Sequence, residues 1–388
     1  MNRSRQFVML HLILFSIANL GVPILAMLAL QPAQYGAFSL VYLAGAFANT
    51  MQLSTVSEVW VRAGADTHTE NSWNRFSNAT ILVGVAGGTV AAVVALISPE
   101  TRPYWPLLFV AVFAQVYANG SSFRALRLFD WRYVLPSGAL GSVTVLASAV
   151  ALFALPAAGL MEVLLSWALV KVAMLLGARP PRRIDIRESF AWLRTNKKDI
   201  STLISDGAIA NLSNIGPPYM VAPILGLTHF GTYRALENLS GPIRTVISSL
   251  RPALTRLPLR RLGSAKLAMQ VGLGSLVIGV IAFLTLRGLE SADLDLGTLN
   301  SLYPYAPLVA LYMTAITLWN LYPLLARQVA VSRHVITLRA CLSVIAILGP
   351  VGGAIGWGLP GALWGQIIHI WVAALAWWIL VNRSVKDA

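Results

Sequence analysis

The chain has 388 residues, of which 57% are hydrophobic and 11% charged, with a mean hydropathy of +0.69 and a formal net charge of +14. A soluble domain carries roughly 25% charged residues, so this composition excludes a water-soluble globular protein. The single cysteine, Cys341, excludes a disulfide framework and a Cys-based metal site.

Twelve apolar segments follow one another, at 7–30, 36–58, 78–98, 104–123, 135–154, 157–178, 200–226, 231–254, 266–287, 303–326, 336–357 and 359–381. Each is near the ~20 residues that a helix needs to cross the hydrocarbon core. The runs are long, continuous and not alternating, which predicts helices and not a barrel. The first follows Arg3 and Arg5 but contains His11, Asn19 and Pro23 and has no small-x-small cleavage pattern, so it reads as helix 1 and not as a signal peptide. The second runs to Glu58 and Arg62 at its inner end, candidates for an inner gate. The third carries Gly84, Gly87 and Gly88, which predict close helix packing. Lys171, in the sixth, is expected to snorkel toward the inner interface.

Between the sixth and seventh segments lies the longest polar break, 179–199, with paired prolines and seven Lys/Arg. It reads as a basic cytoplasmic linker in which Ile184–Arg194 can form a short amphipathic helix on the inner leaflet. The expected domains are therefore a six-helix lobe at 1–178, the linker at 179–199, and a second six-helix lobe at 200–388. Placing both termini in the cytoplasm puts 24 of the 29 Lys and Arg on the inner side and only Arg102 and Arg287 outside. That is the positive-inside pattern of a multi-pass plasma-membrane protein. The net charge is accounted for by topology and by anionic inner-leaflet lipids, so no nucleic-acid partner is expected.

The two halves repeat one another. Asn19, Gly21 and Pro23 return 195 residues later as Asn214, Gly216 and Pro218, and Tyr35-Gly36-Ala37-Phe38 returns as Phe230-Gly231-Thr232-Tyr233. With six spans per half the repeat is parallel, which predicts an all-α polytopic membrane protein of about twelve transmembrane helices, in two parallel six-helix lobes around a central cavity. The outer loops are short, so there is no room for a catalytic domain, and no enzyme is expected.

Helix 8 carries the densest polar pattern. Arg234, Glu237, Gly241, Arg244, Ser248 and Arg251 lie within about a 100° arc of one continuous helical face. Charges inside a span cost several kcal/mol unless they face protein or water, so this stripe should line the cavity. Arg244, farthest from either end, is the leading candidate for binding an anionic cargo, since arginine offers a planar fork to phosphate oxygens. Arg234 and Glu237 are further cavity candidates or an intrahelical pair, and Arg251 is a gate candidate. Helix 7 adds Asp206, Asn211 and Asn214, with Asn19 the repeat mate of Asn214. Asn19, Asn211 and Asn214 are cavity candidates that can equally bridge helices by hydrogen bonds. Asp206 and His11, repeat mates near the inner end, are candidates for coupling to a proton or sodium ion. Trp357, Trp364, Trp371 and Trp378 recur every seven residues and read as a packing or lipid-facing stripe. No nucleotide-phosphate, zinc or nucleophilic-serine motif is present, and no cofactor is expected.

A first helix, a turn with Pro32, Tyr35, Gly36 and Phe38, and a second helix running to Arg62 together resemble the Wzx-type polysaccharide flippases. These belong to the multidrug/oligosaccharidyl-lipid/polysaccharide exporter superfamily. Gly226, Phe230, Gly231 and Tyr233, followed by Pro252 and Arg256, are similar to the start of that family's second half. The resemblance implies movement of a polyprenyl-diphosphate-linked oligosaccharide to the outer leaflet by alternating access. The sugar-diphosphate head would cross a cationic cavity, with membrane lipids and polysaccharide-assembly proteins as partners and the carrier as a monomer. The repeat places Ser39 and Asn49 opposite Arg234 and Arg244, so an arginine cluster shared by both lobes is not expected. The competing readings are a cation-coupled multidrug exporter of the same superfamily and a membrane polysaccharide polymerase or ligase.

Overall fold

The computed structural model describes residues 3–62, 70–128, 130–154, 158–201, 203–204, 215–254 and 264–386. Among these, the regular structure is helical throughout. The helices are α1 (Arg3–Ala29), α2 (Pro32–Gln52), α3 (Glu58–Arg62), α4 (Glu70–Ile97), α5 (Trp105–Arg127), α6 (Trp131–Ala154), α7 (Leu160–Leu176) and α8 (Ile186–Thr195). Then follow α9 (Gly216–Leu239), α10 (Gly241–Leu254), α11 (Ala265–Ser291), α12 (Ala306–Val329) and α13 (Ser332–Lys386). A π-helical turn at Leu53–Ser57 joins α2 to α3, and 3₁₀ turns at Arg102–Tyr104 and Gly297–Tyr305 lead into α5 and α12.

Two of the long helices are each two rods joined at a glycine. α9 breaks at Gly226, with φ 70° and ψ 164°, and α13 breaks at Trp357-Gly358, where Gly358 has φ 60°. A positive φ is strained for residues with a Cβ, so glycine is what permits an abrupt change of direction there. Seven helices are long and apolar enough to cross a bilayer by length and composition, and the last of these, Arg333–Val385, supplies two spans by folding back at Gly358. α2 with α3 and the 17-residue α7 add further apolar helices, and α9 carries two shorter rods on either side of Gly226. The protein is a multi-pass membrane protein.

The chain forms two compact units, one of Met1–Leu30 with Ala37–Asn211, the other of Gln31–Gly36 with Leu212–Ala388. In the first, α4 packs along α5, α1 along α6, and α7 against both α5 and α6. The predicted glycine packing is present: a Cβ on Gly87 would sit 2.4 Å from that of Ala48, and one on Gly88 would lie 2.9 Å from the Phe109 carbonyl oxygen. Arg124 is fully buried with its guanidinium over the rings of Trp60, Trp73 and Phe76, at 5.0, 4.9 and 5.5 Å. Stacking on aromatic faces contributes to stabilising a buried guanidinium.

Part of the basic 179–199 segment is fastened to this unit. Asp185 caps α8, accepting from the Arg187 amide at 2.8 Å. Asn74 and Asn78 of α4 donate to Glu188 at 2.6 and 3.1 Å, and their side-chain oxygens accept from the Arg183 and Asp185 amides at 2.9 Å each. Trp192 enters the cluster of Trp60, Trp73 and Phe76, and its indole N–H reaches the Thr55 carbonyl of the π turn at 3.4 Å. Ile186 and Phe190 face outward.

In the second unit the two copies of the aromatic-Gly turn cross each other. A Cβ on Gly36 would lie 2.2 Å from the Leu227 carbonyl oxygen, and one on Gly231 would lie 1.9 Å from that of Pro32. Gly231 is the repeat mate of Gly36, and Leu227 that of Pro32, so the crossing reads the same from either copy. This explains why the motif is written twice: each glycine makes room for the other copy's backbone. Gly231→Ala is expected to destabilise the protein by about 1–3 kcal/mol through overpacking, read as a lower unfolding temperature. By contrast Gly272→Ala, whose new Cβ meets nothing within 4 Å, should leave it unchanged.

Candidate functional site

α9 and α10 are where the sequence places its charged stripe, and the structure interrupts that stripe. Sequence periodicity treats 231–254 as one helix; here α9 ends at Leu239, Ser240 turns, and α10 begins at Gly241. The physical reason is Pro242, which has no N–H to offer the Asn238 carbonyl four residues back. The Ser240 hydroxyl instead donates to the Glu237 carbonyl at 2.6 Å, and the new rod starts with the Arg244 amide bonding to the Ser240 carbonyl at 3.0 Å.

Despite the break, Arg234, Glu237 and Arg244 line one pocket of the second unit, about 60 Å³ in volume. Its other walls are Pro217 and Asn238, Ile316 and Trp319 of α12, and Gln366, His369 and Ile370 of α13. A volume of this size holds a few waters or one small charged group; it cannot hold a sugar. Arg234 and Glu237 are buried and joined by a direct ion pair. Arg234 also donates to Asn238 Oδ1 at 3.4 Å, and Asn238 in turn donates to the Tyr35 hydroxyl at 2.6 Å. Glu237 Oε1 accepts from Gln366 Nε2 at 3.2 Å, and the Tyr233 hydroxyl lies 3.3 Å from that same oxygen. The carboxylate is thus held from three sides.

Arg244 differs from this fixed pair. It is exposed, at the pocket's rim, and the described residues offer its side chain no carboxylate within 4 Å. With Arg234 neutralised by Glu237, the described lining residues carry one formal positive charge in excess. His369 is 6% exposed, and its Nδ1 has no hydrogen-bond partner among the described residues; nor has Arg234 Nε. An arginine fork is a group suited to phosphate or carboxylate oxygens, and an imidazole nitrogen without a partner can donate or accept according to its tautomer.

Asn19 and His11 lie in the other unit. Lys171, expected to snorkel to the interface, instead is 1% exposed, and its ammonium donates to Asn19 Oδ1 at 2.7 Å and to the Ala18 carbonyl at 3.3 Å. The correction has a simple cause: Asn19 and the adjacent Ala18 carbonyl offer acceptors in the interior, so the chain need not extend to water. His11 is buried against Phe15, ring centroids 5.2 Å apart, with Nδ1 unpartnered among the described residues. Glu58 and Arg62 bracket α3, half-buried and exposed respectively. Arg251 is carried by α10. Asp206, Asn211 and Asn214 lie outside the described residues.

Sequence reasoning missed Gln366 and His369. The available signal was their spacing: they are the strongly polar residues of 359–381 and stand three apart, on one helical face.

No protein-family model matches this chain, and no curated protein sequence is significantly similar to it. Solved structures are similar in fold. The inward-facing conformation of a multidrug resistance MATE family transporter of the MOP superfamily matches at a TM-score of 0.60 and 14% identity, over 100% of this chain and 99% of that one. The chain has the fold of the MOP-superfamily transporters. The lipid II flippase MurJ, in an inward closed conformation, matches at a TM-score of 0.66 and 10% identity, over 98% of this chain and 87% of that one. A eukaryotic MATE transporter, AtDTX14, matches at 0.51 and 14%, over 99% and 98% of the two chains.

Proposed function

We propose that this protein is a plasma-membrane flippase that carries a polyprenyl-diphosphate-linked oligosaccharide from the inner to the outer leaflet for cell-surface polysaccharide assembly. Both termini are cytoplasmic in this reading, and movement is by alternating access between the two units. The observation that carries it is the second unit's pocket, where Arg244 stands at the rim with no carboxylate within 4 Å among the described residues, beside a pair, Arg234–Glu237, that is already neutral. An excess positive charge selects an anionic head, whereas a carrier of hydrophobic cations gains from an uncompensated carboxylate. A fold shared with a lipid II flippase is consistent with a lipid-linked cargo. The protein works without a cofactor, as a monomer among membrane lipids and polysaccharide-assembly proteins. Asp206 and His11 are the residues through which a proton or sodium ion would couple.

The test is made on lipid extracts of a strain lacking the protein, complemented with wild type or Arg244→Ala. Removing a charge-assisted contact of about 1.5–3 kcal/mol should slow transport tenfold or more. Polyprenyl-diphosphate oligosaccharide should accumulate in the deletion strain, be cleared by wild type, and persist with Arg244→Ala. Unchanged lipid-linked sugar, with loss of resistance to hydrophobic cations, would instead identify a multidrug exporter.

A further inference from the structure

The polar pocket has an apolar neighbour that shares a wall with it. On the other side of α13 lies a trough of about 520 Å³, lined by residues of both rods of that helix, among them Ile345, Trp357, Trp364 and Ile368. Its floor is four glycines. A Cβ on Gly353 would come within 2.0 Å of the Gly361 carbonyl oxygen, and one on Gly365 within 2.1 Å of that of Gly349. The two rods therefore meet backbone to backbone, and the missing side chains leave a groove where helices usually present a ridge. Trp357, Trp364 and Ile368 stand along it 79%, 46% and 55% exposed, as lipid-facing side chains do.

His369 belongs to both cavities: it lines the trough and also the pocket of Arg234 and Arg244. One turn of helix thus carries an apolar groove on one face and a cationic recess on the other. Such an arrangement matches a molecule with a long apolar chain and an anionic head. We infer that the trough between the last two spans receives the apolar tail of an amphiphile whose anionic head occupies the Arg234–Arg244 pocket. The inference rests on the proposed flippase reading for the head and adds a tail subsite to it. Burial of successive methylenes in the trough would hold the cargo at this unit while the head crosses.

The test uses the full-length protein in phosphatidylcholine nanodiscs. The probe is a polyprenyl monophosphate with a diazirine at the tail end, and labelled peptides are located by mass spectrometry. Label is expected on peptides spanning 345–368, displaced by excess unlabelled polyprenyl monophosphate but not by added phosphatidylcholine. Ile368→Trp, which fills the trough from one rod, should reduce labelling at least fivefold, and so should Ile345→Trp from the other rod. Val344→Trp, equally exposed but not lining the trough, should not. Each variant is first checked for an unchanged unfolding temperature, and two filling variants guard against one failing to fold. Equal labelling of the same peptides by a diazirine phosphatidylcholine would overturn the inference, since ordinary acyl chains would then fill the trough. Unchanged labelling in both filling variants overturns it too, while a loss of export in Arg244→Ala leaves the head reading intact. If instead both filling variants lose label and Arg244→Ala exports normally, the tail site stands and its assignment to this head pocket falls.

Discussion

Glu237→Gln is expected to lower the stability of the second unit by about 3–5 kcal/mol, the magnitude seen when one partner of a buried ion pair is removed. The substitution keeps the shape of the side chain and removes only its charge. Arg234 would remain buried, at 6% exposure, with its guanidinium facing Asn238 and an amide. The Gln366 amide and the Tyr233 hydroxyl, both set around the carboxylate, would also lose their charged acceptor. Replacing both members of the pair, Arg234→Met with Glu237→Met, should restore most of the loss, because no isolated charge then remains in the interior. Thermal unfolding of the detergent-purified protein measures all three. An unfolding temperature for Glu237→Gln within one degree of wild type would mean that water enters the pair, and the pocket would then be an open vestibule and not a fixed recess.

Much of the architecture was legible in the sequence. The apolar segments stand out because lipid demands long apolar runs and leaves no alternative use for them. The breaks at Gly226 and Gly358 fall where those runs are separated, so helix boundaries and apolar boundaries coincide. Periodicity misled at 239–241: it measures hydrophobic spacing and passes through Gly241-Pro242 without registering the hydrogen bond that Pro242 cannot make. Arg234 and Arg244 nonetheless line one pocket across the turn at Ser240. The opposite wall was out of reach for another reason. Gln366 lies 129 residues from Glu237 along the chain, and nothing local says which polar residue in a later span will turn toward it. Lys171 was misread on the same ground, since its acceptor Asn19 is 152 residues away.

Lys171 supplies the second large effect, and its sign is the informative part. Its ammonium is surrounded by neutral groups, namely Asn19 Oδ1 at 2.7 Å, the Ala18 carbonyl at 3.3 Å and the Met174 sulfur at 3.8 Å. Among the described residues no carboxylate lies within 4 Å of it. Asn19 is itself aimed, because its amide donates to the Phe15 carbonyl at 2.9 Å and leaves the oxygen for the lysine. Asn19→Leu should therefore cost about 3 kcal/mol, the amine keeping its burial and losing its best acceptor. Lys171→Met removes the group that needs the acceptor and nearly conserves volume, so it should be neutral or stabilising to within about 1.5 kcal/mol. Adding Lys171→Met to Asn19→Leu should then recover most of what Asn19→Leu loses. A Lys171→Met protein that unfolds earlier than Asn19→Leu would sink this account. If the order of stabilities holds but Lys171→Met no longer clears lipid-linked sugar, the amine is retained for transport.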